Sequence, residues 1–138
     1  MKKLFCLLFI VVLCFFANGC NSNIEKDYEY IVEGEEVSIV SYKGAEKYNI
    51  VIPTFIEGKK VTKIKEGAFD FQPFYIGDKY IESYDVNIVL PQYLRVIESW
   101  AFVQSSYYSE NNPVCIDYVF LPKTVESVGK DAFSVETL

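Results

Sequence analysis

The strongest constraint on this chain is an internal repeat. Three segments share one pattern. In the first, Val51-Ile52-Pro53 leads to Val61, Ile64, Ala68 and Phe69. In the second, Val89-Leu90-Pro91 leads to Leu94, Ile97, Ala101 and Phe102. In the third, Phe120-Leu121-Pro122 leads to Val125, Val128, Ala132 and Phe133. The spacing from Pro to Phe is the same in the second and third. The first is longer by a stretch holding Glu57-Gly58-Lys59-Lys60, which reads as a turn. A unit this small cannot bury its apolar face alone, so the segments are expected to stack and share one core.

Local patterning agrees. Period-two alternation sends Ile88 and Leu90 to one face and Val89 to the other. Ile50 and Ile52, and Val119 and Leu121, repeat this. Proline then ends each strand because it cannot donate to a ladder. Leu94 and Ile97 lie three apart, the spacing of a tight helical or 3-10 turn. Ala101-Phe102 is expected to plug the interior, the strands to lie side by side in a parallel sheet. Ahead of the repeats, Tyr28, Tyr30 and Val32 alternate with Glu29 and Ile31. Glu33-Gly34-Glu35-Glu36 is a turn signal, and Val37, Ile39 and Ser41 run back. This predicts a β-hairpin capping the N-terminal end of the stack. The chain ends at Leu138, soon after Phe133 and with no obvious cap. Terminal repeats need a polar outer face, so a partner, self-association or a truncated gene is expected there.

The shared pattern, together with Tyr42-Lys43-Gly44, Ile56 to Thr62 and Gly67-Ala68-Phe69, resembles the leucine-rich repeats of the BspA-like (Treponema pallidum-type) family. The resemblance covers about 28–133. It departs from the family in carrying extra residues between each Ala-Phe and the next strand, and in having few repeats. It implies an α/β fold class: a short leucine-rich-repeat solenoid, β-rich, with a parallel sheet, short helical or 3-10 turns and the N-terminal β-hairpin cap. Relatives of this kind are associated with adhesion and host-matrix binding, which implies an adhesin-type role.

The N-terminus has its own logic. Lys2 and Lys3 precede an unbroken apolar run over 4–16, then Ala17-Asn18-Gly19-Cys20. A run this short falls below the ~20 residues of a spanning helix and fits the h-region of an export signal. The last four residues resemble the lipobox of bacterial lipoproteins, departing from it at Ala17 and Asn18. That implies acylation of Cys20 after removal of residues 1–19, a tether over 20–27 and a repeat domain over 28–138. The alternative is ordinary cleavage near Gly19 and a freely secreted product. The expected location is outside the cytoplasm, lipid-anchored to the bacterial cell membrane or outer membrane, the cell surface included.

Composition narrows the function classes. At 138 residues the chain suits one domain. Its net charge of -6, made more acidic by loss of Lys2 and Lys3, argues against a nucleic-acid module. Histidine is absent, which removes Ser-His-Asp and Cys-His catalysis and the common His-containing zinc sites. Cys6 and Cys14 would leave with the signal, so Cys115 is left as a small buried apolar residue without a disulfide partner. The expectation is a non-enzyme with no cofactor and no metal. Glu33, Glu35 and Glu36 lack the rest of a calcium loop. A carboxylate pair for glycoside chemistry is not singled out by any setting.

Candidate ligand-binding residues lie in two places. Asn49 and Val51, Asn87 and Val89, and Tyr118 and Phe120 are expected to form two outward columns on the sheet, either a ligand surface or lateral strand packing. The stretches 70–86 and 103–117 carry Phe71, Phe74, Tyr75, Tyr80 and Tyr84, then Tyr107 and Tyr108. They read either as recognition loops or as cover for a thin core. Lys59, Lys60, Lys63 and Lys65 form a basic cluster, read as a solvated strand face or as a lure for an anionic partner. The leading reading is a membrane-anchored surface or periplasm-facing lipoprotein that binds protein or glycan. The alternatives are an assembly subunit docking through its uncapped C-terminal repeat, and a degenerate fragment of a longer repeat protein.

Overall fold

A computed structural model describes residues 25–71, 74–81, 85–103 and 115–133. Among the described residues, a 3-10 turn at Glu25–Asp27 is followed by thirteen strands: β1 Tyr28–Glu33, β2 Glu36–Tyr42, β3 Asn49–Val51, β4 Phe55–Ile56, β5 Lys59–Ile64, β6 Phe69–Asp70, β7 Phe74–Ile76, β8 Lys79–Ile81, β9 Asp85–Val89, β10 Val96–Ile97, β11 Phe102–Val103, β12 Cys115–Phe120 and β13 Ser127–Val128. The molecule is β-rich, and its sheets are mixed.

The three repeat segments pair strand for strand. The stretches before the prolines form one parallel sheet in the order β12-β9-β3. The stretches after them form β5, β10 and β13, parallel in a second sheet ordered β1-β2-β5-β10-β13. The Ala-Phe positions of the first two form the parallel pair β6-β11. The expected hairpin is β1-β2, turning at Gly34, and β2 lies parallel to β5. The extra length of the first segment is a second small hairpin, β4-β5, around Glu57-Gly58.

The inward residues follow the alternation. Ile50, Ile52, Ile88 and Leu90 are buried, as are Val61, Ile64, Leu94 and Ile97. Ala68, Phe69, Ala101, Phe102 and Ala132 join the same cluster, with Val119 and Phe133 packed against it. The phenylalanines stack as a column. Phe69 and Phe102 lie 4.8 Å apart between ring centroids, and Phe102 and Phe133 4.9 Å. Tyr42 continues the column beyond Phe69 at 5.4 Å.

Four expectations need correction. First, the described residues contain no α-helix, so the α/β class is replaced by a β-rich one. Where a helical turn was expected, Leu94 N–H donates to the Pro91 carbonyl at 3.1 Å and Val125 N–H to that of Pro122 at 3.1 Å. A single turn forms, then the chain extends into β10 or β13. The amides a helix would need are taken by the neighbouring segment: Arg95 N–H donates to Thr62 at 2.8 Å and Glu98 N–H to Ile64 at 2.9 Å. The β-branched Val96-Ile97 and Val128 favour the same outcome.

Second, the sheet before the prolines is purely parallel, but the sheet after them is mixed, because both hairpins add antiparallel pairs to it. Third, the third segment is less covered than the alternation implies. Leu121 is 44% exposed and Val128 45%. Among the described residues β12 pairs only with β9 and β13 only with β10, so one side of each lacks a neighbour. Fourth, the stretch 70–86 is not simply a loop. It holds the hairpin β7-β8, with Gly77-Asp78 at the turn, and Phe71 is buried in the core.

Candidate functional site

The site begins with the register of β3, β9 and β12. Val51 pairs with Val89, and Val89 with Phe120. Asn49 pairs with Asn87, and Asn87 with Tyr118. The backbone positions of the two columns expected from alternation are therefore in register. Val51 is 59% exposed, Val89 55% and Phe120 67%. Exposure at three successive positions of one column makes a continuous apolar stripe rather than scattered surface residues. Beside it, Asn87 Nδ2 donates to Asn49 Oδ1 at 3.2 Å.

Local contacts hold the stripe in place. The Glu46 carboxylate accepts the N–H groups of Tyr48 at 2.7 Å and Asn49 at 3.0 Å, which fixes the start of β3. Those backbone donors hold the Glu46 carboxyl below the usual carboxylate range. At the other end of β3, the Tyr28 hydroxyl donates to the Val51 carbonyl at 3.1 Å, tying the hairpin to the stripe. Burial, then the neighbouring Tyr42, push the Tyr28 hydroxyl well above the ordinary tyrosine value. Ile52 N–H donates to the Val89 carbonyl at 3.0 Å, carrying the register to the edge of Pro53.

A cavity of about 210 Å³ opens on this sheet. Asn87, Ile88, Val89, Leu90, Phe120 and Pro122 line it. It is smaller than the ~300–1,000 Å³ of sites for drug-sized ligands. Its walls are apolar apart from Asn87, so it suits one aliphatic or aromatic side chain of a partner.

The remaining sequence candidates separate. Tyr75 and Tyr80 face each other in the register of β7-β8, and Tyr80 is exposed. Tyr118 lies in β12, next to Asn87 in β9. Cys20, Tyr84, Tyr107 and Tyr108 lie outside the described residues, as do the side chains of Phe74, Tyr75, Cys115 and Tyr118.

Three of the four lysines of the basic cluster have separate partners. Lys59 donates to the Gly34 carbonyl at 2.9 Å, Lys60 lies 4.8 Å from the centroid of the Tyr93 ring, and Lys65 pairs with Glu98 at 3.6 Å. The acidic turn is likewise divided. Glu35 faces Lys59 at 3.8 Å, and Glu36 pairs with Arg95. Among the described residues no group of acidic or thiol side chains converges as a metal site.

Sequence reasoning missed Glu36, Thr62, Tyr93 and Arg95 as surface residues that act together. No short motif joins them, because they come from three separate segments: Glu36 from β2, Thr62 from β5, and Tyr93 and Arg95 from the stretch before β10. Compared with known proteins, the chain matches no family model, no curated protein and no solved structure.

Proposed function

We propose that this chain is a membrane-anchored binding module of the BspA-like leucine-rich-repeat type, a short solenoid whose three rungs present an adhesin-type surface outside the cytoplasm. The observation that carries the reading is the in-register stripe of Val51, Val89 and Phe120 beside a small apolar cavity. Partner recognition by a few apolar anchors in a small pocket uses surfaces of this kind. The stripe favours a protein ligand, with Asn49 and Asn87 supplying polar contacts at its flank. Its work is binding rather than catalysis. Anchoring is assigned to acyl chains on Cys20, with about 0.8 kcal/mol per buried methylene making multiple chains a lasting attachment.

The test is a capture experiment with the full chain against purified host matrix proteins, glycans and the producing cell's envelope proteins. Val89→Ser with Phe120→Ser is the paired variant. A protein ligand held by the wild type and lost by the folded variant supports the reading. Equal retention by both sinks it. Metabolic labelling with palmitate checks the anchor: Cys20→Ala should abolish incorporation.

A second reading has its own observation. Leu121 and Val128 are exposed on the outer side of the third rung. That favours an assembly subunit docking there. Native mass of the Cys20→Ala protein separates the two: a strict monomer at all concentrations counts against assembly.

A further inference from the structure

We infer that a second groove, on the sheet containing β2, β5, β10 and β13, is a binding site for a neutral carbohydrate. The inference is independent of the protein-binding stripe, with which the groove shares no lining residue.

The groove encloses about 250 Å³ and is built from successive segments. Glu36 comes from β2, and Lys60 and Thr62 from β5. Tyr93 and Arg95 precede β10, and Thr124 and Glu126 precede β13. Its charges cancel. Lys60 and Arg95 stand against Glu36 and Glu126, so the groove has no net field to draw an ion. An anionic ligand would meet two carboxylates, and a cationic one a guanidinium and an ammonium. A neutral ligand rich in hydroxyls meets both donors and acceptors.

The polar groups are held in place before any ligand arrives. Arg95 Nη2 donates to both Glu36 oxygens, at 2.8 and 2.6 Å, and the Thr62 hydroxyl donates to Glu36 Oε2 at 3.2 Å. These bonds use one nitrogen of a guanidinium that carries five N–H groups, leaving a fixed fork of donors aimed by the pair. The Thr124 hydroxyl lies 2.9 Å from the Gln92 carbonyl and 2.7 Å from that of Leu94, so its own lone pairs can still accept. Fixing these groups in the free protein removes part of the ordering cost of binding.

The aromatic element completes the set. Tyr93 and Phe55 form a T-shaped pair, with centroids 5.5 Å apart, and the Lys60 ammonium lies 4.8 Å from the centroid of the Tyr93 ring. A ring face that attracts an ammonium also attracts the weakly positive C–H face of a sugar, which would take the place of the exposed Lys60 ammonium there. A pyranose has such a face, flanked by vicinal hydroxyls that both donate and accept. The volume falls below the ~300–1,000 Å³ of larger ligand sites, which suits a short stretch of a glycan chain.

The experiment uses the full chain, isotopically labelled, in a detergent without a sugar headgroup. It is titrated separately with cellotetraose, maltotetraose and N-acetylated chitotetraose, and with a sulfated glycosaminoglycan as the charged control. Saturable NMR shifts at Thr62, Arg95 and Thr124 are expected with at least one neutral tetrasaccharide. Tyr93→Leu and Arg95→Lys should each weaken that binding about tenfold or more. Val89→Ser should leave it unchanged, which separates this site from the stripe. Arg95→Lys keeps the charge and alters only an exposed ion pair, so it should fold even if Tyr93→Leu does not. The inference is overturned if no neutral tetrasaccharide binds up to about 10 mM. It is equally overturned if the shifts fall around Val89 and Phe120, if only the sulfated polymer binds, or if Arg95→Lys binds as well as the wild type.

Discussion

Phe102 lies flat against Phe133, with ring centroids 4.9 Å apart and planes 8° apart. On its other face Phe69 stacks at 4.8 Å and 17°. One ring thus bridges all three repeat segments. Phe102 is fully buried, and the column joins backbones already tied by Phe69 N–H to the Ala101 carbonyl and Phe102 N–H to that of Ala132. The apolar contact and the hydrogen-bond ladder reinforce each other.

Phe102→Ala should therefore cost about 3–5 kcal/mol, the range for truncating a buried aromatic. Urea unfolding followed by circular dichroism measures this. A loss below about 1 kcal/mol would show that the column does not bridge the segments. Phe133→Ala should cost less, since Phe133 is only partly buried.

The residue before each repeat Ala adopts a left-handed backbone. Gly67 has φ 68°, Trp100 57° and Asp131 54°. Glycine tolerates this region, whereas a bulky side chain there is strained by about 1–2 kcal/mol. A Cβ at Gly67 would meet no atom within 4 Å, so Gly67→Ala tests conformation alone. It should destabilise by about 1–2 kcal/mol. Trp100→Gly should raise the melting temperature or leave it unchanged, since the indole is 43% exposed. A fall of several degrees would mean that the indole packs more tightly than its exposure implies.

Gly129 fills a different need. A Cβ there would overlap the Ser99 backbone nitrogen and the Glu98 carbonyl carbon. Gly129 N–H donates to the Ile97 carbonyl at 2.7 Å, so the two segments cannot part without losing that bond. Gly129→Ala should destabilise by about 1–3 kcal/mol, as overpacking does. Differential scanning calorimetry checks it. No change would mean that the third segment is free to shift.

High pH should loosen the hairpin. Burial, then the charges of Asp27 and Glu46, push the Tyr42 hydroxyl up to about 12, against an ordinary value of 10.0. Tyr28 is pushed up as well. Both groups have raised values in the fold, so their contribution is full below the unfolded value near pH 10. It is lost as pH climbs toward 12, where the unfolded chain has released protons that the fold retains. The denaturation midpoint should fall across this window, and Tyr28→Phe should flatten the fall. A midpoint independent of pH between 10 and 12 would refute the assignment.

Val51→Ser, Val89→Ser and Phe120→Ser should each change stability by no more than about 0.5 kcal/mol, as exposed positions do. Thermal melts of the three variants test this. A larger loss at Val89 would place its side chain in the core and remove the stripe as a surface.

Much of the architecture was legible in the chain. Alternation before Pro53 and Pro91 marked which residues turn inward, and the recurring Ala-Phe marked the column. Glu33 to Glu36 marked the hairpin. These signals are local: strand periodicity and turn chemistry act over a few residues. The turn expected over Leu94 and Ile97 stops short, with Ile97 in a strand, and spacing alone cannot tell a helical turn from a turn feeding a strand. The choice rests on Thr62 and Ile64, whose carbonyls capture the amides of Arg95 and Glu98 from another segment.

The sequence by itself determined that three apolar units recur, which residues of the first two face inward, and that the chain carries no histidine. Only the tertiary structure decided that Val51, Val89 and Phe120 share one stripe, and that Glu36 meets Arg95 across β5. The reason is register. A strand's periodicity sets which face a side chain occupies, but the alignment of one strand against the next sets which side chains become neighbours.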